Sequence, residues 1–133
     1  MKRWLIKTEP SSYSFSRLVQ ERRTVWDGIR NALAQIHLRA MREGDEAVVY
    51  HTGRERACVG LVRVTRDARP DPGDARFAVV EIEAVRALAQ PVALAAIRAD
   101  PAFVEFPLVT IGRLSVMPVG AREWKRLMQL AGE

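Results

Sequence analysis

The 133 residues suit one domain burying about two thirds of the surface its unfolded chain exposes. No Ser/Gly-rich or Pro-rich linker divides them, so a single domain over residues 1–133 is expected. The 21 Lys and Arg against 16 Asp and Glu leave a net charge of +5, which suits contact with nucleic acid or another anion and equally plain solubility.

Eighteen arginines stand against three lysines. The planar guanidinium favours phosphates and base edges, but a GC-rich coding bias explains the same skew and carries more weight. Cys58 is the only cysteine, so no intrachain disulfide forms and a reducing cytoplasm is expected. The opening MKRWLIKTEP has no apolar core for a signal peptide. No apolar run approaches the roughly 20 residues of a membrane span, so no membrane contact is expected.

In chain order, KRWLIK (2–7) reads as a strand ended by Glu9-Pro10. Ser14 caps a short helix over Phe15–Arg22, with Phe15, Leu18 and Val19 inward. Val25–Gly28 reads as a turn. Residues 30–42 read as a helix whose apolar stripe is Ile29, Leu33, Ile36 and Ala40, leaving Arg30, Gln35, Arg39 and Arg42 off it. Gly44-Asp45 ends that helix. Residues 46–51 and 57–65 form a hairpin with a longer loop around Gly53-Arg54. Asp71-Pro72-Gly73-Asp74 is a turn, and 77–85 alternates as a strand with Glu81 and Glu83 outward. Val92–Ala99 reads as a helix, 103–113 as apolar but irregular, 114–119 as a last strand and 121–131 as a closing helix with Trp124, Leu127, Met128 and Ala131 inward. This order predicts an α+β fold: a mainly antiparallel, partly closed sheet with helices packed around it.

No hydrolytic set stands out. His37 and His51 lie 14 residues apart with neither HExxH nor cysteine at zinc spacing, and there is no Walker loop or GxGxxG. Cys58 sits in an apolar strand and reads as an inert thiol. No metal, no cofactor and no catalytic residues are expected.

Three stretches are harder to explain as scaffold. In TVWDGIRN (24–31), Trp26 stands before a turn signal, outside any apolar period. It reads as packing under a loop or as a stacking platform, with Asn31 for a base edge and Arg30 for phosphate. Asn31 also reads as a helix cap. In VYHT (49–52), Tyr50 and His51 point to opposite faces, so at most one shares the Trp26 side. Tyr50 offers a ring wall and His51 a hydrogen-bonding imidazole, beside a loop carrying Arg54 and Arg56. The plainer reading is a core tyrosine and a surface histidine. In RLSVMP (113–118), Arg113 and Ser115 share one strand face and reach the same pocket, or the stretch is simply an edge strand that tolerates Pro118.

Together these stretches resemble the EVE-domain family, a branch of the PUA-like folds. Trp4-Leu-Ile-Lys7-Thr-Glu9-Pro10 with Tyr13-Ser14 is similar to its W-x-x-K-x-E-P opening, and Trp26–Asn31 to W-D-G-V-R-N. Met41–Asp45, Tyr50-His51-Thr52, Val59-Gly60, Arg113–Val119 and Trp124 follow in the family's order. The resemblance implies an open, twisted PUA-like β-barrel and a pocket reading a modified base, a modified cytosine, extruded from DNA or RNA. It implies Trp26, Asn31, Tyr50, His51 and Ser115 at the base, with Lys7, Arg30, Thr52, Arg54 and Arg113 at the rim or the phosphates. Ala32, Leu33 and Gln35 depart from the family's bulky residue followed by Gln-Ala-Arg, and Thr52 stands for Ser, which bears on base preference. A non-catalytic reader, monomeric and partnered by nucleic acid, ranks first. A small-ligand or anion-binding module ranks second. Third is an RNA-processing enzyme, which requires Lys7, Glu9 and His51 to converge beside Trp26.

Overall fold

The computed structural model describes residues 1–133. Strand β1 (Arg3–Thr8) carries Trp4, Leu5 and Ile6, all buried. The run is continuous because the strand is central: it pairs parallel to β3 (Glu46–His51) and antiparallel to β7 (Val116–Pro118). The β1–β3 pair is the one parallel ladder. Its crossover holds α1 (Phe15–Glu21), β2 (Arg23–Trp26) and α2 (Ala32–Arg39). The remaining strands are β4 (Ala57–Val64), β5 (Arg69–Asp71) and β6 (Asp74–Ala93). The sheet runs β2-β6-β4-β3-β1-β7, with β5 paired to β6. The two ends of this path do not meet. The α+β fold is thus an open, mostly antiparallel twisted sheet with helices around it, α3 (Leu94–Ala99), α4 (Pro107–Thr110) and α5 (Ala121–Leu130) completing the cover.

Several elements differ from the sequence reading. Residues 23–26 are strand in register with Val80–Glu83 of β6, so Val25 and Trp26 belong to β2 rather than to the expected turn. Thr-Val-Trp has the β-prone chemistry for this, and the alternation buries Trp26 while leaving Val25 exposed. Strand β6 is 20 residues long, more than twice the expected span, and bends past β2, β4 and β5 through register shifts opposite Cys58–Gly60 and Leu61–Val62. The following helix starts at Leu94, later than Val92. The apolar stretch 103–113, read as irregular, starts at the end of a 3₁₀ turn (Pro101–Phe103) and holds α4, and Phe103, Phe106 and Leu108 are buried along it.

Helix α2 is rotated from its expected face. Ala34, Gln35 and Leu38 are buried, while Leu33 is 38% and Ile36 61% exposed. Val19 of α1, expected inward, is also exposed. The Gln35 amide explains the rotation. Its Nε2 donates to Ile29 O (2.7 Å) and Ala78 O (3.2 Å), and its Oε1 accepts from Ala78 N (2.8 Å). One buried side chain thus satisfies backbone groups of the 27–31 loop and of β6.

Two contacts fix the elements that frame the site. Asp45 is buried and accepts from Lys2 N (2.9 Å), Trp4 Nε1 (3.0 Å) and Arg42 N (3.0 Å), tying the start of β1 to the turn after α2. Burial pushes its carboxyl up, but these N–H donors outweigh that and hold it below the usual carboxylate range. Gly60 of β4 lies flat under Phe15: a Cβ built there meets three carbons of the Phe15 ring at under 3.0 Å. The missing side chain is what lets α1 approach the sheet.

Candidate nucleic-acid interface

Where β1 ends, the chain turns through Glu9–Ser12 and returns as Tyr13. The Thr8 hydroxyl donates to Tyr13 O (2.7 Å) and holds that return in place. Ser14 then caps α1, its Oγ accepting from Arg17 N (3.1 Å). Across a gap, β2 delivers Thr24, Val25 and Trp26, and the Gln35 amide fixes Ile29 by its carbonyl. Between them opens a cavity of about 370 Å³ lined by Lys7, Thr8, Tyr13, Thr24, Val25, Trp26, Asp27 and Ile29. That lies within the roughly 300–1,000 Å³ of small-ligand sites.

Two aromatic rings wall it. Trp26 and Tyr13 meet edge to face, centroids 6.0 Å apart and planes at 79°. A flat guest laid against one ring presents its edge to the other. The Tyr13 hydroxyl donates to Glu21 Oε1 (2.6 Å), and Arg17 both pairs with Glu21 and stacks on the Tyr13 ring at 5.0 Å. Burial first, and then the Glu21 hydrogen bond, raises the Tyr13 phenol above its ordinary value. The polar residues of its lining are Lys7, Thr8, Thr24 and Asp27. Together they offer donors and an acceptor to the edge of a heterocycle.

Lys7 also borders a second cavity, of about 240 Å³, with Tyr50, Thr52, Gly53, Arg56, Leu94, Arg98, Leu108 and Gly112. Its Nζ donates to Gly112 O (2.8 Å) and sits 5.7 Å from the Tyr50 ring centre. Half-burial pushes its pKa below the ordinary lysine value.

Of the residues expected at the base, the structure brings Trp26 and the rim residue Lys7 to the aromatic cavity. Tyr50, 4% exposed, lines the second cavity beyond Lys7, with Thr52. His51 is buried under α1 rather than at the surface: its Nε2 accepts from Phe15 N (3.0 Å), which places the ring proton on Nδ1 facing Glu55 Oε1 (2.7 Å). Asn31 caps α2, its Oδ1 accepting from Ala34 N (3.0 Å). Ser115 offers its carbonyl to Lys7 N (2.9 Å). Arg30 stacks on Phe77 at 4.3 Å, Arg113 is exposed, and Arg54 lines a third hollow with Arg56 and Arg98. None of His51, Asn31, Ser115, Arg30, Arg54 and Arg113 lines the aromatic cavity.

Sequence reasoning missed Tyr13, Thr24 and Asp27 as site residues. The Thr-Val-Trp strand pattern and the Tyr13-Ser14 pair ahead of a helix were the signals available. Lys7, Glu9 and His51 do not converge: Glu9 accepts from Ser11 (Oγ, 3.2 Å) and Thr52 (Oγ1, 3.1 Å), His51 is engaged as above, and only Lys7 reaches the cavity. No group of three or more His, Cys, Asp or Glu is placed to hold a metal ion.

Comparison with known proteins agrees with this architecture. The EVE-domain family model matches residues 2–130. Human thymocyte nuclear protein 1 is 26% identical over 163 residues, covering 96% of this chain and 72% of its own. A Rhodopseudomonas palustris protein solved by NMR superimposes with a TM-score of 0.94 at 40% identity, over 99% of this chain and 94% of that one. The crystal structure of human thymocyte nuclear protein 1 in complex with DNA containing 5-methylcytosine superimposes with a TM-score of 0.92 at 25% identity, over 100% of this chain and 99% of that one. By the family match over nearly its whole length, this chain belongs to the EVE-domain family.

Proposed function

We propose that this chain is a non-catalytic nucleic-acid-binding module that reads a modified base, a modified cytosine, in the cavity walled by Trp26 and Tyr13. The observation that carries the reading is that aromatic corner, with Lys7, Thr24 and Asp27 among its lining residues, in a fold shared with a protein crystallised on 5-methylcytosine DNA. Extruding a base costs a few kcal/mol. Stacking on an aromatic ring returns about 1–3 kcal/mol, and edge contacts from Lys7, Thr24 and Asp27 supply the remainder. A reader needs no nucleophile.

The test is a titration of short single and double strands, DNA and RNA, at fixed salt. They carry cytosine, 5-methylcytosine, 5-hydroxymethylcytosine or N6-methyladenine. The variant of choice is Trp26→Phe. Trp26 is 7% exposed and part of the core, so Trp26→Ala removes packing as well as stacking, at about 3–5 kcal/mol of stability. A preference for one modified strand that shrinks several-fold in Trp26→Phe, with the fold retained, supports the reading and names the mark. Equal weak binding to every strand refutes it and moves the cavity to a small-ligand screen.

A further inference from the structure

The side of Lys7 away from Trp26 has a character of its own. The second cavity is lined by three cationic side chains, Lys7, Arg56 and Arg98, and by no carboxylate. It continues into a third hollow of about 160 Å³ that shares Arg56, Leu94 and Arg98 and adds Arg54 and Glu55. Glu55, the one acid there, is turned to His51 Nδ1. Arg3, Arg17, Arg23, Arg63, Arg76, Arg86 and Arg126 pair with carboxylates, whereas Arg54, Arg56 and Arg98, like the chain's other arginines, take part in no ion pair; what sets these three apart is that they border the same hollows. The Glu9 carboxylate lies at the margin of the second cavity, against Thr52 and Gly53, so three cations face one acid there and the groove keeps a positive excess that an anion stabilises.

The backbone adds a second observation. Arg56 has φ 45, a left-handed conformation that a side chain adopts at a cost and glycine adopts freely. Its carbonyl accepts from Leu94 N (2.8 Å), joining the β3–β4 loop to the start of α3. Leu94 and Arg98 lie one turn apart on the same face of that helix. The junction therefore sets Arg56 and Arg98 on the same two hollows.

We propose that this groove is a phosphodiester track: the strand whose base enters the Trp26 cavity passes Lys7 and lays its next phosphates against Arg56 and Arg98, with Arg54 at the far end. The proposal rests on the reading of the Trp26 cavity as the base site. It separates two roles, since the aromatic cavity discriminates the base while the track contributes affinity without sequence preference.

The experiment measures affinity against salt for a short single-stranded DNA, with and without the preferred modified cytosine. The proteins are wild type, Arg56→Gln, Arg98→Gln and, as a control, Arg66→Gln beyond the opposite end of β4. Each groove variant is expected to make the slope of log K against log salt shallower by about 0.7, and to weaken both strands by the same factor, about fivefold at 0.1 M salt. The ratio of modified to unmodified binding stays unchanged, whereas Trp26→Phe lowers that ratio and leaves the slope. Arg56→Gly separates fold from function, with Tm unchanged or raised while binding weakens. Unchanged slopes in Arg56→Gln and Arg98→Gln, or an equal change in Arg66→Gln, overturn the track. Loss of the ratio in the groove variants also overturns it. If wild type shows no preference for the modified strand, the base reading fails, and the slopes on the unmodified strand still decide the track.

Discussion

Gly60→Ala is the sharpest structural test of how the aromatic cavity is built. The added methyl lies under 3.0 Å from Cζ, Cε1 and Cε2 of Phe15, against a comfortable carbon–carbon separation of about 3.5–4.0 Å, so the ring must retreat on the order of 1 Å. It has little room. Phe15 is 5% exposed, it opens α1, and its N–H is held by His51 Nε2 at 3.0 Å. Overpacking of this kind costs about 1–3 kcal/mol. At roughly 4 °C per kcal/mol for a chain of this size, Tm falls by roughly 4–12 °C. Moving Phe15 also moves Tyr13, two residues earlier, away from its edge-to-face contact with Trp26, so binding of the modified strand weakens with stability. Urea denaturation and strand titration read the two effects. Phe15→Leu supplies the control: the smaller side chain makes room, so Gly60→Ala costs less in that background, with a coupling of about 0.5–3 kcal/mol. Strictly additive losses, or a Gly60→Ala protein as stable as wild type, would show that Gly60 does not set the seat of α1.

Asp45→Asn leaves one of three N–H donors facing an amide NH₂ and removes charge from the other bonds, a loss on the order of 2–4 kcal/mol at neutral pH by chemical denaturation. Because the folded Asp45 carboxyl is held below its ordinary value, its contribution is present above the unfolded carboxylate pKa and fades as pH falls through the folded one. The gap between Asp45→Asn and wild type therefore narrows in acid, and a gap that is constant from pH 7 to pH 3 contradicts the assignment. Gln35→Leu orphans the Ala78 N–H and two carbonyls and should cost on the order of 2–4 kcal/mol in urea denaturation, despite replacing a polar core residue with an apolar one. A neutral or stabilising result would mean that the amide does not anchor the loop. Cys58 is wholly buried, and burial pushes its thiol pKa up to about 12, so an aromatic disulfide reagent should label it only at the rate of opening. Fast labelling of the folded chain would place β4 at an edge, which the pairing on both sides forbids.

The sequence was legible where a local pattern determined the outcome. Ser14 ahead of Phe15 and the Asp71–Asp74 turn read correctly, and the alternation of β6 holds over Val80–Glu83, although Val79 is buried beside Ala78 and Val80; caps, turns and period-two burial act over a few residues. It was not legible where a distant partner decided. Arg23–Trp26 is a strand because Val80–Glu83 pairs with it, and Asp27-Gly28 masked it by drawing the expected turn back over Val25 and Trp26. The parallel β1–β3 ladder joins segments with more than thirty residues between them, which no periodicity encodes. Site residues followed the same division. Trp26 stood out because nothing local used it, and Lys7 because its motif placed it at a strand end. His51 looked available for a base because the group that engages it, Phe15 N, lies 36 residues away, whereas the cap of Asn31 on Ala34 N is local and was one of its two readings from the sequence.

That distinction also bears on the residues in which this chain departs from its family. Ala32, Leu33 and Gln35 raised doubt about the shape of the base site, yet none of the three lines the aromatic cavity. Leu33 faces outward. Gln35 faces the other way, into the core, and reaches the cavity only through the carbonyl of Ile29, whose side chain forms part of the wall. A change there shifts the position of one wall and leaves the chemistry of the others intact. The residues that would choose among bases are Thr24, Asp27 and Lys7. Exchanging Asp27 for Asn swaps a pure acceptor for a group that also donates. If Asp27 accepts from the exocyclic amine of cytosine, Asp27→Asn weakens modified-cytosine strands by about tenfold while leaving the salt slope as in wild type. That is the loss of one charge-assisted hydrogen bond worth about 1.5 kcal/mol. Equal binding by Asp27→Asn and wild type, measured on the same strands, would move the edge contact to Thr24 and Lys7.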